Sequence, residues 1–165
     1  MIDISSAVAM PDNQPEVTFK ALEALVQDTI GAKLFTLMEV DHDRDVAWRN
    51  YTNMQEAYPA FGEKPRIKNK WSEIVDERHE TFVANSIEEI AEVFPDYELI
   101  QSLGCESCLN LPIVIAGRLR GTLNCLDVAG HYTPEKVSAA ERLKTAGALA
   151  FLMADFIRKQ GENHE

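Results

Sequence analysis

Two long apolar runs, Ser107–Ile115 (SCLNLPIVI) and Arg118–Val128 (RLRGTLNCLDV), are joined by Ala116-Gly117 alone. A two-residue link permits only antiparallel pairing, because parallel strands need a crossover of a dozen or more residues. Neither run alternates cleanly between apolar and polar residues. Strands that are apolar on both faces belong in a sheet covered on both faces. The chain must therefore lay material on either side of an antiparallel sheet, and its 165 residues suit one such domain.

The remaining segments supply that cover. Between Glu16 and Ile30, apolar Phe19, Leu22, Leu25, Val26 and Ile30 follow helical spacing, and Gly31 suits the stop. Lys33–Asp41 and Val46–Asn53 read as strands around the polar turn Asp41–Asp45. Met54–Lys70, with Pro59, Gly62 and Pro65, reads as irregular. Trp71, Ile74, Val75 and Arg78 share one face of a short helix, and Thr81–Asn85 is strand-like. Ser86-Ile87-Glu88-Glu89 fits a capping box opening another helix, and Pro95–Leu103 forms one more. Thr133-Pro134-Glu135 is a strong helix start, predicted to run on to about Arg158. Residues 1–15 read as an irregular lead-in, 16–160 as a single domain and 161–165 as a tail. The predicted class is α+β, with the terminal helices on one sheet face and short helices and loops on the other.

Charge narrows the partners. With 27 acidic and 16 basic residues the net charge is −11, which argues against nucleic acid or an anionic membrane as the main partner. No apolar run approaches the roughly 20 residues that span a bilayer. The N-terminus lacks the basic and apolar parts of a signal peptide, so the expected location is the cytoplasm. Three cysteines make a disulfide framework improbable there.

Within Glu106–Ala154, Pro112, Gly117, Gly121-Thr122-Leu123-Asn124 and Tyr132-Thr133-Pro134-Glu135 follow one another at family-like spacing. This segment resembles a GAF domain closely over 104–157, and element order extends the resemblance over 16–103. The resemblance implies a small-molecule pocket between the sheet and the middle-segment helices, and dimers formed through the terminal helices. No room remains for a kinase, cyclase, phosphodiesterase or DNA-binding segment, so a stand-alone GAF protein is expected.

Candidate ligand contacts follow from residue type and position. Arg49, Tyr51 and Asn53 alternate along one strand and offer a cation, a hydroxyl and an amide to a carboxylate. Trp71 is a packing anchor or a pocket wall. Asn110 and Asn124 lie inside the most apolar strands, where a buried amide needs a partner across the hairpin or on a ligand. Glu106 and Ser107 stand at the strand mouth. Lys64, Arg66, Lys68 and Lys70 form either a basic loop beside the pocket or ordinary exposed lysines. Asp41, Asp43 and Asp45 start like a calcium loop, but Val46 and Thr52 break the pattern, so a solvated turn is expected.

The cysteines carry a second reading. Cys105, Cys108 and Cys125 suffice in number for a thiol reductase, and Cys125 is similar in placement to a cysteine of the GAF-fold free methionine-(R)-sulfoxide reductases. Yet Cys105-x-x-Cys108 leads into a strand and not into a helix N-terminus, where a dipole would activate a thiol. Zinc would need a further ligand from His42, His79, His131 or His164. Small buried core residues are the expected role, and no metal or cofactor is called for. No serine or cysteine nucleophile beside a plausible base is visible. The leading expectation is thus a sensor for a small anionic or zwitterionic metabolite, with the reductase and a ligand-free dimeric interaction module as alternatives. The last helix bears more apolar surface than one sheet covers, including Leu149, Leu152, Met153 and Phe156, which points to a homodimer.

Overall fold

The structure is a computed structural model and describes residues 2–164. Its centre is a six-stranded antiparallel sheet in the order β3-β2-β1-β6-β5-β4. The strands are β1 (Leu34–Asp41), β2 (Val46–Thr52), β3 (Phe61–Pro65), β4 (Phe82–Ala84), β5 (Ser107–Ile115) and β6 (Arg118–Asp127). β5 and β6 are the predicted hairpin, turned by Ala116 at φ 52° and Gly117 at φ 81°. Two adjacent residues with positive φ match the right-handed strand twist. The hairpin and β1 form the middle of the sheet, buried on both faces as their apolar composition requires.

One face carries α2 (Glu16–Thr29), α6 (Pro134–Ala140) and α7 (Lys144–Glu162). Phe19, Leu22 and Val26 of α2 meet Leu37, Leu111, Ile113 and Leu123 of the sheet and Phe151 of α7 in one core. Each such fully buried side chain contributes about 1.5–3 kcal/mol. α7 approaches β6 closely at Gly121. A Cβ there would meet the Met38 carbonyl and lie 2.7 Å from the Phe151 ring, which is why the Gly-Thr-Leu-Asn stretch begins with glycine.

The opposite face carries α3 (Lys70–Ser72, continued by a π-helical turn Glu73–Glu77), α4 (Ile87–Ala91) and α5 (Tyr97–Ser102). A second core forms there from Val75, Ile90, Ile100, Cys105, Cys108 and Leu126. The side chain of Asn69 caps α3 at Ser72 N, and that of Ser86 caps α4 at Glu89 N.

Four expectations need correction. Residues 1–15 hold a short helix, α1 (Ile4–Val8), capped by Asp3 accepting from Ser6 N at 2.9 Å, and Ala7 is fully buried. The segment 54–70 contains β3, an edge strand of mostly exposed residues whose Gly62 and Pro65 hide it from strand patterning. The final helix is not continuous: a 3₁₀ turn at Glu141–Leu143 separates α6 from α7. At three residues per turn this insert rotates the buried face by about 60° relative to an unbroken α-helix. α7 then continues past Arg158 to Glu162.

Candidate functional site

A cavity of about 360 Å³ opens between the sheet and the covering segments α3 and α5. Its floor is the outward face of β2, β1, β6 and β5, and its roof comes from Tyr58, the strap Lys64–Asn69, Trp71 and Phe94. No helix among the described residues is long and apolar enough to cross a membrane.

The floor is polar along one cross-strand row. Thr36, Asn124 and Asn110 are register partners on β1, β6 and β5. Trp71 Nε1 donates to Asn110 Oδ1 at 2.9 Å, Asn110 Nδ2 donates to Asn124 Oδ1 at 2.8 Å, and Asn124 Nδ2 donates to Thr36 Oγ1 at 3.2 Å. This relay ties the roof to the sheet and gives both buried amides their partners. Asn110, Asn124 and Trp71 thus lie where the sequence pattern puts them, and their first partners are one another.

The next row holds Arg49, Met38 and Thr122, partners on β2, β1 and β6. The Arg49 guanidinium lies 3.9 Å over the Tyr58 ring and 4.8 Å from the Phe61 ring, and its Nη1 donates to Pro59 O at 2.9 Å. Its buried Nε has no hydrogen-bond partner among the described residues, and neither has Thr122 Oγ1. Thr122 is 1% exposed.

Tyr51 and Asn53 do not join Arg49. The β1–β2 register pairs Leu37 with Tyr51 and Met38 with Arg49, so Asn50 is an extra residue, a β-bulge. The bulge reverses the alternation: Arg49 faces the cavity, while Tyr51 turns to the helical face, against Phe19 and Phe35, and donates to Glu23 at 2.7 Å. Asn53 closes the strand end, accepting from Phe35 N and donating to Lys33 O. Glu106 and Ser107 also lie off the cavity. Glu106 Oε1 accepts from Gln101 at 3.1 Å, and Ser107 Oγ donates to Asp127 O and Val128 O where the hairpin ends.

The basic strap divides. Lys64 and Arg66 line the cavity, whereas Lys68 is exposed and Lys70 pairs with Glu92 at 3.4 Å. Arg66 is neutralised by Asp76 and by Asp45. It also donates to His42 Nδ1 at 3.3 Å, while His42 Nε2 donates to Leu119 O at 3.0 Å. Burial and the Arg66 charge hold His42 below its ordinary pKa. Asp96 accepts from Tyr58 at 2.7 Å. Lys64 rests over the Phe61 ring at 4.2 Å. Arg49 and Lys64 therefore remain as cavity cations with no carboxylate partner among the described residues.

All three cysteines are buried free thiols. Only Cys108 reaches the cavity; Cys125, paired opposite Leu109, points into the helical core. Burial pushes Cys105 up to about 11 and Cys108 up to about 12, and raises Cys125 as well. Cys125 lies on the opposite sheet face from Cys105 and Cys108, and burial keeps all three as thiols, whereas a reductase nucleophile must be a thiolate. Asp41 accepts from Asp43 N and Arg44 N, the bonds of a solvated turn.

Thr122, Tyr58, Phe61 and Asp96 also line the cavity, beyond the residues expected from the sequence. Thr122 did carry a signal: it stands two residues from Asn124, on the same strand face, inside an apolar run. Tyr58 and Phe61 lie in the stretch read as irregular, where no periodicity marks a side.

The family model described as a GAF domain matches residues 13–158. The chain belongs to the GAF domain family. GAF domains are small-molecule-binding sensory and regulatory modules, and that is the functional class of this chain. No curated protein matches it. Solved GAF structures share its fold at low identity. The GAF domain of a two-component sensor histidine kinase from Bacillus halodurans superposes with a TM-score of 0.69 at 11% identity, over 87% of this chain and 97% of that one. A GAF domain/HD domain protein from Geobacter sulfurreducens gives 0.67 at 10%, over 95% and 99%. The GAF domain of a phosphoenolpyruvate-protein phosphotransferase from Coxiella burnetii gives 0.63 at 20%, over 96% and 92%. At these identities the likeness is one of fold.

Proposed function

We infer that this GAF protein is a cytoplasmic sensor that binds a small organic anion in the cavity over its sheet and signals as a homodimer. One observation carries the reading. Arg49 is held over the Tyr58 ring beside Phe61 and anchored at Nη1, and its Nε is buried and unpartnered among the described residues. That edge of a guanidinium can fork a carboxylate, and the ring contacts and the bond to Pro59 O hold the group before a ligand arrives. Lys64 adds a second positive charge at the mouth, in a chain that is otherwise strongly acidic.

The dimer belongs to the same reading. Leu149, Leu152 and Phe156 lie along one side of α7 and are 36%, 48% and 56% exposed. An apolar stripe on a terminal helix suits a self-complementary helix pair.

Thermal melting with small carboxylates and their matched primary amides tests the binding claim. A carboxylate at a hundred times its Kd stabilises by about 2.7 kcal/mol, worth several degrees, and the amide leaves the midpoint unchanged. Equal shifts with acid and amide, or none with any acid, would contradict it.

A further inference from the structure

We propose that Thr122 is a specificity residue, selecting a ligand that carries an uncharged hydrogen-bonding group at the end opposite its carboxylate. The inference rests on the carboxylate reading of Arg49 and adds to it what the far end of the ligand must be. Thr122 lines the cavity, and its Oγ1 is buried and has no partner among the described residues. A buried hydroxyl left unpaired is costly, and a ligand oxygen that pairs with it recovers the loss. Its neighbours on the floor do not relieve it, because Asn124 is committed to Asn110 and Thr36.

Register sets the ligand's shape. Met38 pairs with Arg49 on one side and Thr122 on the other, so two strand spacings, about 10 Å, separate their backbones. Between the two polar points the cavity floor is the apolar Met38, and Trp71 and Phe94 close the cavity beyond Thr122, on the side of β5 and β4. An apolar body with a carboxylate at one end and a hydroxyl or carbonyl at the other satisfies both. An aromatic monocarboxylate with a distal ring hydroxyl is the simplest member of that class.

Calorimetric titration with 3-phenylpropanoate and 3-(4-hydroxyphenyl)propanoate tests this. Wild type should bind the hydroxylated acid roughly tenfold more tightly. Thr122→Val should abolish that preference while keeping the affinity for 3-phenylpropanoate, and Thr122→Ser should retain it. Unliganded Thr122→Val should melt no lower than wild type, since it removes an unpaired buried hydroxyl without changing shape. Equal binding of the two acids by wild type, or a preference that survives Thr122→Val, overturns the role of Thr122 and leaves the carboxylate reading standing. A Thr122→Val chain less stable than wild type also overturns it, because the hydroxyl would then have a partner within the protein. Binding of neither acid, together with no thermal shift from any carboxylate, overturns both.

Discussion

Asn110 and Asn124 face each other across the β5–β6 hairpin, and the Asn110 amide donates to the Asn124 side-chain oxygen at 2.8 Å. The pair joins the Trp71 indole of the pocket roof to Thr36 in the sheet. Asn110→Ala would leave two polar partners, Trp71 Nε1 and Asn124 Oδ1, unpaired in the interior. The expected loss is about 2–4 kcal/mol of unfolding free energy, read by urea denaturation. A loss under about 0.5 kcal/mol would mean that the relay does not hold the roof down.

Glu39 is fully buried on the helical face and accepts from Trp48 at 3.0 Å, from Asn50, from Arg120 at 2.7 Å and from Arg158 at 3.1 Å. Asp155 of α7 binds the same two arginines. The network anchors the end of α7 to β1 and β2. Removing one partner of a buried ion group strands the others, so Glu39→Ala should cost about 3 kcal/mol, the lower end of that range because Arg158 reaches solvent. Amide exchange in the last two turns of α7 should quicken with it. Unchanged stability would show the network to be ornamental.

The latch of the strap gives a pH dependence. His42 accepts from Arg66 at Nδ1 and donates to Leu119 O from Nε2, a pattern open only to the neutral ring. Its folded pKa lies below the ordinary value of about 6.5. In the window beneath that value the unfolded chain binds the proton and the folded chain does not. Stability is therefore fully present above about pH 6.5 and falls as pH drops toward the folded pKa. His42→Gln should flatten this part of the stability–pH curve. A wild-type curve that rises on acidification through pH 6 would contradict the assignment.

The exposed α7 stripe predicts the state of assembly. Sedimentation velocity should show a dimer for wild type and a monomer for the double variant Leu152→Glu, Phe156→Glu, with the fold intact by circular dichroism. A monomeric wild type at micromolar concentration would remove the dimer from the account.

What could be read beforehand depended on how locally each feature was encoded. The β5–β6 hairpin and α2 were legible because apolar spacing and turn residues are local signals. Asn110 and Asn124 stood out as amides in apolar strands, and Trp71 as a lone indole after a basic strap. Strict two-residue alternation puts Tyr51 beside Arg49, and the bulge at Asn50 that turns it away depends on pairing with β1, which alternation cannot reveal. Asn53, Glu106 and Ser107 resemble ligand contacts in the sequence because polar residues at strand ends look alike, whether they meet a ligand or close the backbone. The unpartnered atoms of Arg49 and Thr122 emerge only when the sheet brings β2 and β6 to either side of Met38.

The central claim is that the Nε edge of Arg49 receives the carboxylate of a ligand. The Nε–Hε resonances of the arginine side chains, followed by NMR during titration with 3-phenylpropanoate, test it most directly. The account predicts a saturable downfield movement of the Arg49 Hε signal, absent with the matched amide, while Arg66, already bound to Asp76 and Asp45, stays in place. An Arg49 signal that does not move while the acid binds would contradict it.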